Sequence, residues 1–273
     1  NSDDALTEEY KISAMARNIG MEAVDLDPIG LQSIETGMEL TVLGGVHYPL
    51  DCNINPVKYL EVLHDFLIDH GVKIFHNATV SGLTLGNGNI ESIKVSGQSW
   101  SANHFVLAAG SLSSKLIQQV GIKMPLMAGK GYSITMEAPI KKPALPALLI
   151  EARIASTPMG TKWRFGGTMT VTDSNRKINQ KKLNAMLKSV RNYYPEYDIS
   201  WVGGLEPWVG LRPLSADGLP YIGAFSQCPN LIAATGHAML GISLSPITGK
   251  LVCDIVSGNE PDSDMRMLSP NRF

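Results

Sequence analysis

Apolar positions along this chain follow two periods, and the changes of period mark its elements. Residues 5–20 place apolar Tyr10, Met15 and Ile19 behind Glu8 and Glu9, which predicts a helix capped by Thr7 and stopped by Gly20. A second, short helix is expected after Asp27-Pro28. Asn55 then offers a cap, Pro56 suits a first helical position, and Val57, Leu60, Leu63 and Leu67 form one apolar stripe ending at Gly71. A strand is expected next, over 72–75, as in a helix-to-strand step of an α/β sheet. From 83 to 95 the period drops to two around Gly-Asn-Gly-Asn, which predicts a hairpin.

Residues 104–116, HFVLAAGSLSSKL, read as a buried strand, a small-residue turn at Ala108, Ala109 and Gly110, and a helix capped by Ser111 or Ser113. The segment 125–173 is rich in proline and in strand-like runs, with Gly166-Gly167 expected to break or bulge a strand. Residues 179–194 predict an amphipathic helix through Leu183, Leu187 and Val190, ended by Pro195. Strand–helix units at 55–120 and 231–256, separated by the β-rich block, suggest two interleaved domains.

Composition narrows the function classes. With 273 residues, 44% hydrophobic and 18% charged, one large or two modest domains fit. The formal net charge of −2 implies no nucleic-acid partner. No stretch approaches the roughly 20 apolar residues that span a bilayer, so the expected location is cytoplasmic, or peripheral at the inner face of a membrane. The three cysteines, Cys52, Cys228 and Cys253, are far apart and read as buried thiols of a reducing compartment. The six histidines show no H-E-x-x-H pattern, no G-x-S-x-G marks a hydrolase nucleophile, and no metal site is expected.

Two features carry chemistry. Arg212 stands among Trp208, Val209, Leu211 and Pro213, and its planar fork matches a carboxylate in two parallel hydrogen bonds. The alternative is an ordinary surface pair with Asp217 or Glu206. Residues 236–250 then read as a turn and a helix entry, whose unpaired first-turn amides favour a ligand that gains negative charge, such as a reduced flavin. His237 in that turn is either a packing residue or one with a chemical role near physiological pH. No G-x-G-x-x-G follows a strand anywhere.

Taken together, residues 44–80, ANHFVLAAGSLSSKL, KGYSIT, WRFGGTMTV, WVGLRPLSADGLPYIG and residues 230–258 resemble, in the same order, the D-amino-acid oxidase superfamily of FAD-dependent oxidoreductases. Within it the likeness is to bacterial D-amino-acid dehydrogenases, with glycine oxidases next. The resemblance implies an α/β (α+β) fold: an incomplete FAD-binding Rossmann-like domain interleaved with an antiparallel β-sheet substrate domain with flanking helices. Substrate-domain segments are expected at 1–45 and 123–206, FAD-domain segments at 46–122 and 207–262, and a tail at 263–273.

The resemblance further implies that Arg212 grips the substrate carboxylate. Val80, Ala108, Ala109 and Gly110 would lie along the adenosine side of FAD, and Gly236, His237, Ala238, Met239, Leu240, Gly241 and Ile242 would wrap its isoalloxazine, with Gly210 also on the cofactor side. Tyr132 and Tyr48 are the residues expected to line the substrate pocket. The family's turn GHGTLGW reads GHAMLGI here, and 150–162 lacks the tyrosine that oxidases of the superfamily often place there. The Gly-rich βαβ unit that opens family members is not recognised, so the chain is expected to be a fragment that would not hold FAD tightly or act on its own. The implied reaction is oxidation of a small amino acid at Cα–N, with a quinone or electron-transport acceptor. Rival readings are a glycine, sarcosine or 2-hydroxy-acid oxidase, and a carboxylate-binding module without redox activity.

Overall fold

The computed structural model describes residues 2–172 and 175–273. The elements in chain order are α1 (Asp3–Asn18), β1 (Val24–Leu26), α2 (Pro28–Ile34), β2 (Gly45–His47), α3 (Pro56–Asp69), β3 (Val80–Gly86), β4 (Asn89–Val95), β5 (Gln98–Trp100), β6 (Phe105–Leu107) and α4 (Ser113–Ile117). They continue with β7 (Leu126–Met136), β8 (Ala147–Leu149), β9 (Ile154–Met159), β10 (Lys162–Thr172), α5 (Gln180–Ser189), β11 (Trp208–Ser215), β12 (Tyr221–Phe225), β13 (Cys228–Thr235) and α6 (Gly241–Val256). Two compact units form: 1–59, 131–169 and 177–210 make the first, while 60–130, 170–176 and 211–273 make the second.

Strands β11-β7-β10-β9-β8 form a five-stranded sheet in that order, antiparallel at β10-β9-β8, and the first unit holds residues 131–136, 147–149, 154–159, 162–169 and 208–210 of it. Its β10 alternates strictly, so Trp163 and Phe165 are buried on one face, and they pack with Tyr132, Tyr194, Tyr197, the Leu183–Leu187 face of α5 and Val190 just after it. The indole N–H of Trp163 donates to Ser156 Oγ at 2.9 Å, which leaves that buried polar group satisfied. Asn179 caps α5 by accepting from the Lys182 amide. The two glycines of β10 do not break it. Gly166 and Gly167 pair in register with Ala155 and Ile154, and a Cβ on Gly167 would stand 2.9 Å from Met186 Sδ, so close packing explains the small residue.

In the second unit, β12-β13-β6 form one sheet and β3-β4-β5 another. The expected hairpin is present: Gly86 pairs with Asn89, and Asn87 and Gly88 take φ of 52° and 76°, the left-handed values a two-residue turn demands. The core between these elements holds Ile90, Leu107, Ile117, Met124, Tyr221 and Phe225. Against it the C-terminal residues close over β12. Arg272 forks onto Asp217 (2.8 and 2.9 Å), donates to the Leu219 and Pro220 carbonyls, and stacks 4.0 Å above the Tyr221 ring. The tail at 263–273 is therefore tied down.

Several expectations are corrected. Helix α1 starts at Asp3 under a Ser2 cap, so Thr7 lies inside it. Neither Ser111 nor Ser113 caps α4, because a 3-10 turn over Gly110–Leu112 feeds directly into it. Cys228 is buried, but Cys52 and Cys253 are exposed. Helix α3 forms under its Asn55 cap, whose Oδ1 accepts from the Val57 amide at 3.1 Å, yet it buries no residue and its Val57, Leu60 and Leu63 are exposed. Residues 72–75 form no strand. A strand needs a neighbour for its backbone groups, and Val72 and Phe75 are both exposed. Among the described residues, no helix is long and apolar enough to cross a membrane.

Candidate active site

The second unit brings two turns together. Strands β6 and β13 run parallel, Leu107 beside Ala233, so both end at the same edge of their sheet. At that edge β6 hands over to Ala108, Ala109 and Gly110, and β13 to the turn 236–240 and α6. The turns are bonded to each other: Thr235 Oγ1 donates to the Gly110 carbonyl (3.3 Å) and receives the Ser113 hydroxyl (3.5 Å). Ligands of open α/β sheets bind outside the carboxyl ends of such strands. Gly110 has a φ of 56° with open space where a side chain would stand. Gly236 has a φ of 85° and lies so near Tyr221 that a Cβ would sit 3.1 Å from its ring.

Strand β11 completes the arrangement. Leu214 pairs with His237, and the Ala238 amide donates to the Pro213 carbonyl at 2.9 Å. The strand bearing half-buried Arg212 is thus stitched to the turn at the entry of α6. Asp217, one alternative partner for Arg212, is instead held by Arg272. His237 is also accounted for. Its Nε2 meets Thr248 Oγ1 at 2.9 Å, one turn and more into α6, and burial lowers its pKa, so the neutral imidazole ties the turn to the helix.

Unlike α1, α2, α3 and α5, helix α6 has no side-chain cap. Beside its open first turn, Met239, Leu240 and Ile242 expose their side chains. Further along, Pro246 cannot bond the Ile242 carbonyl, and the Ser245 hydroxyl does so at 2.8 Å. Polarised amides flanked by uncovered apolar side chains suit a flat heteroaromatic group that carries carbonyls and gains negative charge. The isoalloxazine of FAD meets that description, so the residues present fit it. Val80, the other expected cofactor residue, opens β3 opposite Val95 and is half-buried.

The remaining expected residues belong to the first unit. Tyr132 is 1% exposed within the core, and its hydroxyl accepts the Asn179 amide at 3.1 Å; locking the start of α5 explains it without a ligand. Gly210 permits the Trp208 ring to fold back, since a Cβ there would stand 2.3 Å from it. Tyr48 lines a cavity of ≈ 480 Å³ along with His47, Asp51, Leu149 and Glu151. Burial, and then the carboxylates of Glu9, Asp51 and Asp25, raise the pKa of its phenol. The sequence reading missed Arg164. It stands on β10 opposite to Trp163, donates to Ser133 Oγ at 2.9 Å, lies 5.8 Å above the Trp208 ring, and has its pKa lowered by desolvation. Only its place in a strand with an aromatic on either side could have signalled it.

Residues 2–255 match the model of the DAO family, described as FAD dependent oxidoreductase. The chain belongs to this family of FAD-dependent oxidoreductases. It is 28% identical over 276 residues to a D-amino acid dehydrogenase of Rhizobium rhizogenes, covering 97% of this chain and 65% of that protein. It is 30% identical over 267 residues to one of Xanthobacter autotrophicus, covering 94% and 62%. The crystal structure of glycine oxidase from Geobacillus kaustophilus superposes with a TM-score of 0.87 at 23% identity, over 100% of this chain and 73% of that one. The α/β flavoenzyme fold is therefore the fold of this chain, and the chain spans under two thirds of the length of those two dehydrogenases.

Proposed function

We propose that the protein oxidises the Cα–N bond of a small amino acid, a D-amino acid in the first instance, with FAD as its cofactor. One observation carries this reading: a half-buried guanidinium on β11, whose strand is hydrogen-bonded to the uncapped entry of α6. Two relatives named D-amino acid dehydrogenase support the substrate class.

Bound FAD supplies the two-electron acceptance that converts the amino acid to an imine, which water hydrolyses to a 2-oxo acid and ammonia. Arg212 holds the substrate carboxylate in its two-pronged fork and so fixes which face of Cα is presented. The open amides of the first turn of α6 place partial positive charge where negative charge develops. Met239, Leu240 and Ile242 would be covered by a bound ring and would then keep water from that turn, and Gly236 and Ala238, at φ of 85° and 48°, bend the backbone so that it can run flat beside a ring. His237, held by Thr248, positions the turn and transfers no proton. With the amine neutral, no side-chain base is needed. Ala108, Ala109, Gly110 and Val80 are assigned to the adenosine half of the cofactor. Tyr48 is assigned to the substrate domain's pocket, and a membrane quinone reached from the cytoplasmic face is the proposed terminal acceptor.

The test is Arg212→Lys in the FAD-loaded protein, assayed by reduction of a quinone-like dye with small D-amino acids. A lysine keeps the charge and loses the fork, so kcat/KM falls tenfold or more, about 1.4 kcal/mol. A smaller loss refutes the role of Arg212. Oxygen consumption in place of dye reduction would mark an oxidase, and carboxylate binding without either would leave a binding module.

A further inference from the structure

Helix α3 carries His64 on its third turn, and His76 follows the extended segment after the helix. Their Nε2 atoms face each other at 3.3 Å, with ring centroids 5.4 Å apart and planes inclined by 30°. The other ring nitrogen of His64, Nδ1, lies 3.2 Å from Asp65 Oδ1. We propose that His64 and His76 form a surface site for Zn²⁺ or a similar imidazole-binding divalent ion, with Asp65 orienting His64.

Three physical points support the assignment. Two nitrogens bound tetrahedrally to one ion at about 2.0–2.1 Å stand roughly 3.3–3.4 Å apart, which the observed separation matches. A hydrogen bond from an N–H donor is commonly about 2.9–3.0 Å, so the pair is too wide for a good one. A carboxylate at Nδ1 keeps the proton there and leaves the Nε2 lone pair for a metal, the arrangement that orients histidines at metal centres generally. Among the described residues, no group of three or more ligand side chains gathers, so water completes the shell and the site stays open.

The consequence falls on α3, which buries none of its own residues. An ion joining His64 to His76 across 12 residues would pin the helix to the segment that follows it, and would stabilise the folded form in proportion to its occupancy. Neither histidine belongs to a recognisable ligand motif, because the partners are brought together by the turn at Gly71.

The experiment is equilibrium dialysis of the protein against ZnCl₂ in a non-chelating buffer, with His64→Ala, His76→Ala, Asp65→Asn and His70→Ala beside it. One equivalent binds, either alanine at His64 or His76 removes it, Asp65→Asn weakens it roughly tenfold or more, and His70→Ala leaves it intact. Should an alanine variant fail to fold, carbethoxylation of the unaltered protein decides: Zn²⁺ protects His64 and His76 selectively. Absence of binding, or binding that survives both alanine variants because it resides at exposed Cys52 or Cys253, overturns the site, as does equal modification with and without Zn²⁺.

Discussion

Glu35 offers the sharpest test of the packing argument. It is 4% exposed and has no cation beside it in the described ion pairs. Its Oε1 accepts the amides of Gly37 (2.8 Å), Met38 (3.2 Å) and Ala144 (2.7 Å), and Oε2 accepts that of Leu145 (3.0 Å). One carboxylate thus joins the loop after α2 to a segment about 110 residues later in the chain. Gly37 makes the approach possible, since a Cβ there would stand 2.3 Å from the Lys142 carbonyl oxygen. In Glu35→Gln one oxygen becomes an NH₂ group, and in either orientation a donor confronts a donor. The amide left without an acceptor costs about 1–3 kcal/mol, and the others fall from charge-assisted to neutral bonds, losing on the order of 1 kcal/mol each. With one amide unpaired and three weakened the sum is about 4–6 kcal/mol, a large share of a typical stability of about 5–15 kcal/mol. Urea unfolding followed by tryptophan fluorescence reads it directly, because Trp163, Trp201 and Trp208 all lie in the first unit. Glu196→Gln, which alters an exposed carboxylate that pairs with Lys141 and accepts the Glu39 amide at 3.2 Å, serves as control and shifts the midpoint much less. A loss below about 1 kcal/mol for Glu35→Gln would mean that the four amides find other acceptors, and the reasoning fails.

Other expectations follow from the same structure. Burial holds the folded-state pKa of His237 below its ordinary value, so the unfolded chain takes up the proton first and stability is lost as pH falls below about 6.5; thermal melts from pH 7 to 5 should show this, and His237→Gln should remove that component. Arg272 lowers the Asp217 carboxyl to about 2, which adds stability present above the ordinary carboxylate range near 4 and lost as pH falls from about 4 to about 2; Asp217→Asn should flatten acid unfolding in that window. Gly236→Ala forces a side chain to φ 85° against Tyr221, and should cost about 1–2 kcal/mol and weaken FAD retention in a flavin-release assay. Arg164→Met keeps the stem and removes the desolvated charge, so it should leave the first unit as stable or more so by urea melt.

Local order was legible in the residues because its causes are local. Asn55-Pro56, Asn179 and Asp27-Pro28 satisfy the first amides of their own helices, and Asn87-Gly88 adopts the turn that only such residues tolerate. The order of short motifs from β2 to α6 likewise disclosed the family, since each piece records a backbone constraint at one place. Long-range partners decided the rest. The apolar stripe of α3 specified a helix and not its burial, and residues 72–75 could not become a strand without a neighbour to accept their amides. Tyr132 looked like a pocket residue until the core of the first unit enclosed it, and Arg164 looked like nothing until β10 turned it away from Trp163. The pairing of Glu35 with amides about 110 residues away, of Thr235 with Gly110 and of His64 with His76 depends on distances that chain closure sets. A residue's type dictates which bonds it can make, and the fold alone brings the other partner within reach.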